Sequence, residues 1–366
     1  MKNFLITFLL FIIVLITTDC TPTTEQNDTK HGINKSSFKI IHNKIKSTET
    51  PTIYQTPTEY VVELIPQSTP LVFTFPTPQA KPISLWRPPL YDTPWALSPH
   101  DHFYFNRPIA ADEINWPIAD YRYGGIFFSP DDVHTGVDIP SKRGTPVLAA
   151  ASGEVVSAGY GLYLGNNDPN DPYGLAVTIK HNFGYNNNQL YTVYAHMDRI
   201  FVSEGDIVDT GTSLGVVGDT GHTTGPHLHF EVRIDSNSYF ATRNPELWLA
   251  PPQGWGVLVG RVLNTNGSLL TKHNITIISY ATNQKWSVIT YGKHTINSDE
   301  YYNENLVLSD LPEGKYQIII DYLENRYISD VMIHPGAVSY FTFKGEHGYN
   351  FILPTLTLPE DWFNIN

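Results

Sequence analysis

Two histidines stand two residues apart in Gly225-Pro226-His227-Leu228-His229-Phe230-Glu231. On a β-strand residues i and i+2 share a face, so His227 and His229 are expected to point one way while Leu228 and Phe230 enter a core on the other. One strand thereby offers two imidazoles to one metal centre. The chain has 14 histidines, and six of them (His134, His181, His196, His222, His227 and His229) fall between 134 and 229. A catalytic zinc site takes three protein ligands from His, Asp or Glu and keeps one position for water. His134 with Asp138, plus one member of the His227/His229 pair, supplies two imidazoles and one carboxylate. Such a set brings bound water towards a neutral pKa and presents a Lewis acid to a carbonyl oxygen. His196 and the other member of the pair would stand beside the metal without binding it, where an imidazole can take a proton or steady an oxyanion. Spacing alone does not decide which of His227 and His229 is the ligand. Glu231 is read as a partner of the ligand rather than as the base. The helical motif His-Glu-x-x-His is absent, which excludes a helical zinc protease.

Strands must position these residues. Short strand-like runs cover 145–150, 153–159, 175–181, 190–196, 206–208 and 213–218 before the His227 strand, with Gly, Asn and Asp between them. No long amphipathic helix is evident, so the pattern is that of an antiparallel β domain. Within 190–196, strict alternation puts Tyr194 and His196 on one face and Val193 and Ala195 on the other. Residues 160–174 form a polar, turn-rich loop of a length that is commonly functional. After Pro251-Pro252-Gln253-Gly254, about seven more short strands (256–262, 275–278, 286–289, 316–320, 327–328, 331–333 and 339–343) suggest a small β-sandwich. The fold class expected is therefore mainly β, with an antiparallel first domain and a sandwich after it.

The 366 residues suggest about two or three domains. A net charge of −13 argues against a nucleic-acid partner, which calls for a basic face. The single cysteine, Cys20, rules out disulfides and thiolate metal sites in the rest of the chain. Residues 4–16 are apolar, too short for a membrane span and suited to a secretory signal. Acylation at Cys20, cleavage, or retention as an anchor are the alternatives, with Asp19 standing where a lipoprotein signal prefers a small residue. All three place the remainder outside the cytoplasm. The domains read as a signal at 1–20, a Thr/Pro-rich, mostly disordered tether at 21–85, a first domain with its aromatic lead-in at 86–250, a linker at 251–256, the sandwich at 257–350 and a tail at 351–366. A featureless extension and a functional stalk fit the tether's composition equally well.

The motifs His134-Thr135-Gly136-Val137-Asp138, Gly144-Thr145-Pro146-Val147, Gly153-Glu154-Val155-Val156, Tyr194-Ala195-His196-Met197 and the run 218–231 occur in order. Together they resemble the M23 zinc endopeptidases, the lysostaphin and LytM group, over about 123–249. The resemblance implies zinc ligands His134, Asp138 and His229, one zinc ion per chain, and His196 and His227 as the catalytic pair. It further implies hydrolysis of amide bonds in the peptides of bacterial peptidoglycan. Some members of that family are silent activators of other hydrolases, which is the alternative reading. A protease for other Gly-rich extracellular peptides is a third. The chain departs from the family at Tyr123-Gly124-Gly125-Ile126, where an Arg is common, and in its longer 160–174 loop; both bear on specificity.

Gly260-Arg261-Val262, Asn266-Gly267, 311–316 and Ser339-Tyr340-Phe341 resemble the transthyretin-like sandwich appended to carboxypeptidases. That implies a spacer, or a module for carbohydrate or an envelope protein. Among the remaining residues, His181 is expected to bond a loop backbone, His222 to lie at the surface and Tyr123 to be packed. His100, Asp101 and His102 could in principle plug the metal centre, although this is the weakest of these readings.

Overall fold

The computed structural model describes residues 39–42, 93, 97–98, 100–109, 121–126, 133–292 and 296–354. The signal run, Cys20, Trp86, Trp95, Trp116 and most of the tether and tail lie outside them. Among the described residues, no helix is long and apolar enough to cross a membrane.

The period-2 pattern of the His227 run is realised as strand β9 (His227–Ile234). Leu228, Phe230 and Val232 are fully buried in the core, while His227, His229, Glu231 and Arg233 occupy the other face. Burying Leu228 and Phe230 stabilises the fold by about 1.5–3 kcal/mol each. Strands β2 (Val137–Pro140) and β10 (Thr242–Arg243) take the same edge of β9 in succession, and β6 (Asn188–Ile200) takes the other. Beyond β6 come β5 (Leu175–Tyr185), β4 (Gly153–Gly159) and β7 (Ile207–Val208). A side branch of β3 (Pro146–Leu148) and β8 (Ser213–Val217) completes this nine-stranded antiparallel sheet. Three-residue 3-10 turns are the only helical elements among the described residues.

Two further sheets follow. Strands β12 (Asn274–Ser279), β13 (Lys285–Ile289), β15 (Gly314–Tyr322) and β16 (Asn325–Ile333) make one. Its outer edge receives β1 (Lys39–His42), parallel to β16. Strands β11 (Trp255–Leu263), β14 (Leu306–Pro312), β17 (Val338–Lys344) and β18 (Tyr349–Asn350) make the other. Val262, Ile277, Ile318, Phe341 and Phe343 fill the space between them, so the two sheets form a sandwich. Strand β11 is buried on both sides: Leu258 and Val262 enter the sandwich core, whereas Val257 and Val259 join the core of the nine-stranded sheet. The lead-in segment adds Phe103, Phe105 and Ile109 to that same core. The site-bearing sheet and the sandwich thus share one apolar interior.

His181, on β5, is buried, with Nδ1 3.0 Å from the Ser152 carbonyl and Nε2 2.9 Å from Thr192 Oγ1. This is the structural role its sequence context suggests. Burial lowers its pKa from 6.5 to about 4. The folded value lies below the unfolded one, so its contribution is complete above pH 6.5 and is lost as pH falls towards 4. A shift of that size corresponds to about 3 kcal/mol. The melting temperature is therefore expected to drop between pH 6.5 and 4, and less steeply in His181→Gln; parallel slopes would show that His181 does not contribute.

Candidate active site

Asp138 on β2 lies opposite His229 on β9 in the strand register, and Ala195 on β6 lies opposite His229 on its other side. His134 stands just ahead of β2, held by two backbone bonds to a turn at 124–125: Gly124 donates to the His134 carbonyl and His134 donates to the Gly125 carbonyl, each at 2.8 Å. These placements bring three donor atoms together. His134 Nε2, Asp138 Oδ1 and His229 Nδ1 form a triangle with sides of 2.9, 2.9 and 3.0 Å.

The outer partners fix which ring nitrogens carry lone pairs. His134 Nδ1 lies 3.1 Å from the Arg122 carbonyl, and His229 Nε2 lies 3.1 Å from Glu231 Oε1. A carbonyl and a carboxylate only accept, so neutral imidazoles direct lone pairs from His134 Nε2 and His229 Nδ1 at the Asp138 carboxylate. Three acceptors converging on one buried point call for a cation. The pocket favours positive charge: burial disfavours charge on His229, but the hydrogen bonds and charges of Asp138 and Glu231 outweigh it and raise its pKa to about 9, so without a metal the ring holds a proton that a bound cation would displace. Donors on a tetrahedron with zinc–ligand bonds of about 2.0 Å stand about 3.3 Å apart, a few tenths of an ångström more than here. The set therefore fits a zinc-sized ion with two imidazoles and one carboxylate.

Glu231 is fully buried and keeps its charge. Burial opposes that charge, but Arg233 beside it, His229 and Thr135 hold the carboxyl well below its ordinary range. Arg233 Nε donates to Glu231 Oε2 at 2.7 Å, and the Tyr173 hydroxyl donates to Oε1 at 2.7 Å. Such a support sets the tautomer and angle of a ligand histidine. Glu231 thus partners His229, as its i+2 position suggests. Thr135, Tyr173 and Arg233 go unread in the sequence, although 227, 229, 231 and 233 continue one polar face.

Gly136 makes room for His229. A Cβ there would meet the Phe230 carbonyl oxygen at 2.4 Å and the His229 ring at 2.8 Å. Gly136→Ala is expected to lower metal affinity at least tenfold and to destabilise the fold by about 1–3 kcal/mol through overpacking. Chelator competition and thermal unfolding would measure both; unchanged affinity would mean that the ring has space to yield.

His196 and His227 flank the triangle. Their ring centroids are 4.8 Å apart, and His196 is 5.6 Å from His229. Each donates Nδ1–H to a backbone carbonyl at 2.8 Å, His196 to Thr220 and His227 to Gly225. Nε2 is thus the lone-pair nitrogen of both. His227 Nε2 lies 3.3 Å from Asp138 Oδ2. Burial, with His229 and His227 nearby, lowers the His196 pKa to about 3, and burial also lowers that of His227. Both are neutral at neutral pH.

One expectation fails. Tyr194 and His196 do not share a face: Tyr194 is in the core, where its hydroxyl accepts from the Ala150 amide, while His196 borders the cleft. His196 adopts φ +61°, and the pairing of β6 shifts there from β9 to β8. This left-handed corner breaks the alternation and turns the imidazole to the metal side. Nor does the segment 100–102 plug the site. His102 pairs with Asp299 at 2.7 Å, Asp101 accepts from the Tyr302 hydroxyl, and His100 stacks on Tyr301. Tyr123 is buried as expected.

The five residues open on a cleft of about 420 Å³. The 160–174 loop supplies Tyr163, Leu164 and Tyr173 to its wall, and Tyr121, Tyr239 and the exposed His222 complete that side. Among the described residues, no lysine or arginine lines it.

Residues 132–240 match the model of peptidase family M23. The chain is 40% identical over 128 residues to the DD-carboxypeptidase/endopeptidase Mpg of Neisseria meningitidis serogroup B, covering 35% of this chain and 26% of that protein. It is 40% identical over 118 residues to a lipoprotein NlpD/LppB homolog of Pseudomonas aeruginosa, covering 32% and 35%. Among solved structures, the catalytic domain of the antimicrobial peptidase lysostaphin from Staphylococcus simulans is 32% identical, covering 34% of this chain and 86% of that one, with a TM-score of 0.30. The match spans only about a quarter to a third of the curated relatives. Family model and relatives alike support an M23 peptidase domain over residues 132–240, which contains the whole five-residue constellation.

Proposed function

We propose that the chain is a zinc-dependent endopeptidase that hydrolyses peptide bonds of bacterial peptidoglycan outside the cytoplasm. One observation carries this reading: a three-donor centre flanked by two neutral histidines whose Nε2 lone pairs are kept available by backbone carbonyls. His134, Asp138 and His229 would hold the ion. When bound, zinc polarises the scissile carbonyl and acidifies water. His196 Nε2 and His227 Nε2 accept a proton from the attacking water and pass it to the leaving amine nitrogen. Asp138 Oδ2, beside His227, steadies the imidazolium while it holds that proton. The aromatic cleft wall, which carries no lysine or arginine among the described residues, suits a peptide with small or uncharged side chains. The peptidoglycan substrate rests on the likeness to Mpg and to lysostaphin, and the location on the lipoprotein relative.

Incubation of the purified chain with sacculi tests the proposal. Release of new amino termini that is blocked by a chelator and restored by zinc is the expected result. Zinc bound without release would instead favour a silent binding or activating protein of the same fold.

A further inference from the structure

The acceptor that orients His134 belongs to a turn that the sandwich holds. The Arg122 carbonyl takes the Nδ1–H of His134. The Arg122 guanidinium pairs with Glu246, which is fully buried. The same Glu246 Oε1 accepts from the Ser309 hydroxyl at 2.8 Å and from the Ser309 amide at 3.2 Å, and Ser309 lies on β14 of the sandwich. Next in the turn, the Tyr123 hydroxyl donates to the Thr242 carbonyl at 3.0 Å and accepts from the Asn297 amide at 2.9 Å. Its ring stands edge-on to Tyr291 at 5.5 Å. Gly124 has φ +81°, and a Cβ there would lie 2.3 Å from the Tyr291 Cβ, so the turn is pressed against residues that follow β13. Gly124 and Gly125 then hold the His134 backbone. The Arg122 carbonyl and the Gly124 and Gly125 backbone that hold His134 thus belong to a turn contacted by Tyr291 and Asn297 and, through Glu246, by Ser309.

We propose that the C-terminal sandwich is a positioning element of the metal centre: through Tyr291, Asn297 and Ser309 it clamps the 121–126 turn whose Arg122 carbonyl sets the angle of the His134 imidazole. This rests on the reading of His134, Asp138 and His229 as metal ligands. It gives the sandwich a role at the site that a spacer would not have. Partners that orient a ligand histidine typically govern metal affinity by 10–100-fold.

The test compares zinc affinity, by chelator competition on the full chain, in Tyr123→Phe, Ser309→Ala and Tyr349→Phe. Tyr123→Phe removes the hydroxyl that joins the turn to Asn297. Ser309→Ala removes a bond two contacts away from the ligand. Tyr349 is the control: it stands on β18, and its hydroxyl lies 3.2 Å from the Ile318 and Tyr327 carbonyls inside the sandwich. Tyr123→Phe is expected to weaken zinc binding about tenfold and Ser309→Ala a few-fold, with Tyr349→Phe within twofold of the native chain even where its melting temperature falls further. Unchanged affinity in the first two variants, or an equal loss in all three, would overturn the clamp. Failure of the native chain to bind zinc would overturn the metal centre itself, and the clamp with it.

Discussion

His229→Ala is expected to abolish metal binding and hydrolysis together. The substitution removes one of the three donors found among the described residues and leaves His134 Nε2 and Asp138 Oδ1, 2.9 Å apart, as a two-point site. The fold should survive. Glu231, which loses His229 Nε2, keeps the Arg233 guanidinium and the Tyr173 hydroxyl, so its buried charge keeps a counter-charge, the lack of which makes breaking a buried pair so costly, and Asp138 keeps its contacts to His134 and His227. Turnover should fall on the order of 10⁴-fold or more, the scale seen when a member of a catalytic unit is removed. Elemental analysis after dialysis, beside circular dichroism, separates site loss from unfolding. A folded variant that retains one zinc per chain would refute the ligand assignment. A folded variant without zinc that still cleaves sacculi would refute the metal mechanism.

Much of this architecture is legible because strands with one wet face carry a period of two. The run 227–234 keeps apolar and polar residues in strict alternation, and β9 follows it residue for residue. The runs at 153–159 and 213–218 likewise become β4 and β8. Legibility fails where that period is lost. Strand β14 goes unread because it is buried on both sides: Leu306, Val307 and Leu308 are all inaccessible, and the chain then ends in Leu311-Pro312-Glu313-Gly314, which reads as a turn. Conversely, 327–328 and 331–333 read as two strands but form one, β16, whose Ser329-Asp330 break is an ordinary step of the pleat. At the site, the candidate donor types and the shared face of His227 and His229 follow from the sequence, and the family resemblance implies which of the two is the ligand. The outer partners do not follow. Arg122, Glu246 and Ser309 are far apart in sequence and meet only because the lead-in turn and the sandwich share one interior with the sheet. The face of His196 is misread for a different reason: a positive φ at a residue other than glycine leaves no pattern in neighbouring residue types.

That same corner shapes the second large effect. His196→Ala is expected to keep zinc and to lose turnover by about 10²–10⁴-fold, the usual weight of a general acid–base group. His196 offers no atom to the donor triangle, so metal affinity should stay within a few-fold of the native chain. Alanine is, however, a poorer occupant of φ +61° than histidine, which is enriched in the left-handed region. A loss of activity in His196→Ala alone would therefore be ambiguous between a missing proton carrier and a distorted corner between β6 and β8. His196→Asn resolves this. Asparagine tolerates the left-handed region better than most residues, and its amide can still donate to the Thr220 carbonyl that now takes the His196 Nδ1–H, but it has no basic nitrogen. If proton transfer is the role, Asn is as inactive as Ala while melting closer to the native temperature. If the corner's shape is what matters, Asn restores most of the turnover that Ala loses. Initial rates of amine release from sacculi, measured on zinc-loaded protein, distinguish the two, and near-native rates in His196→Asn would remove His196 from the chemistry.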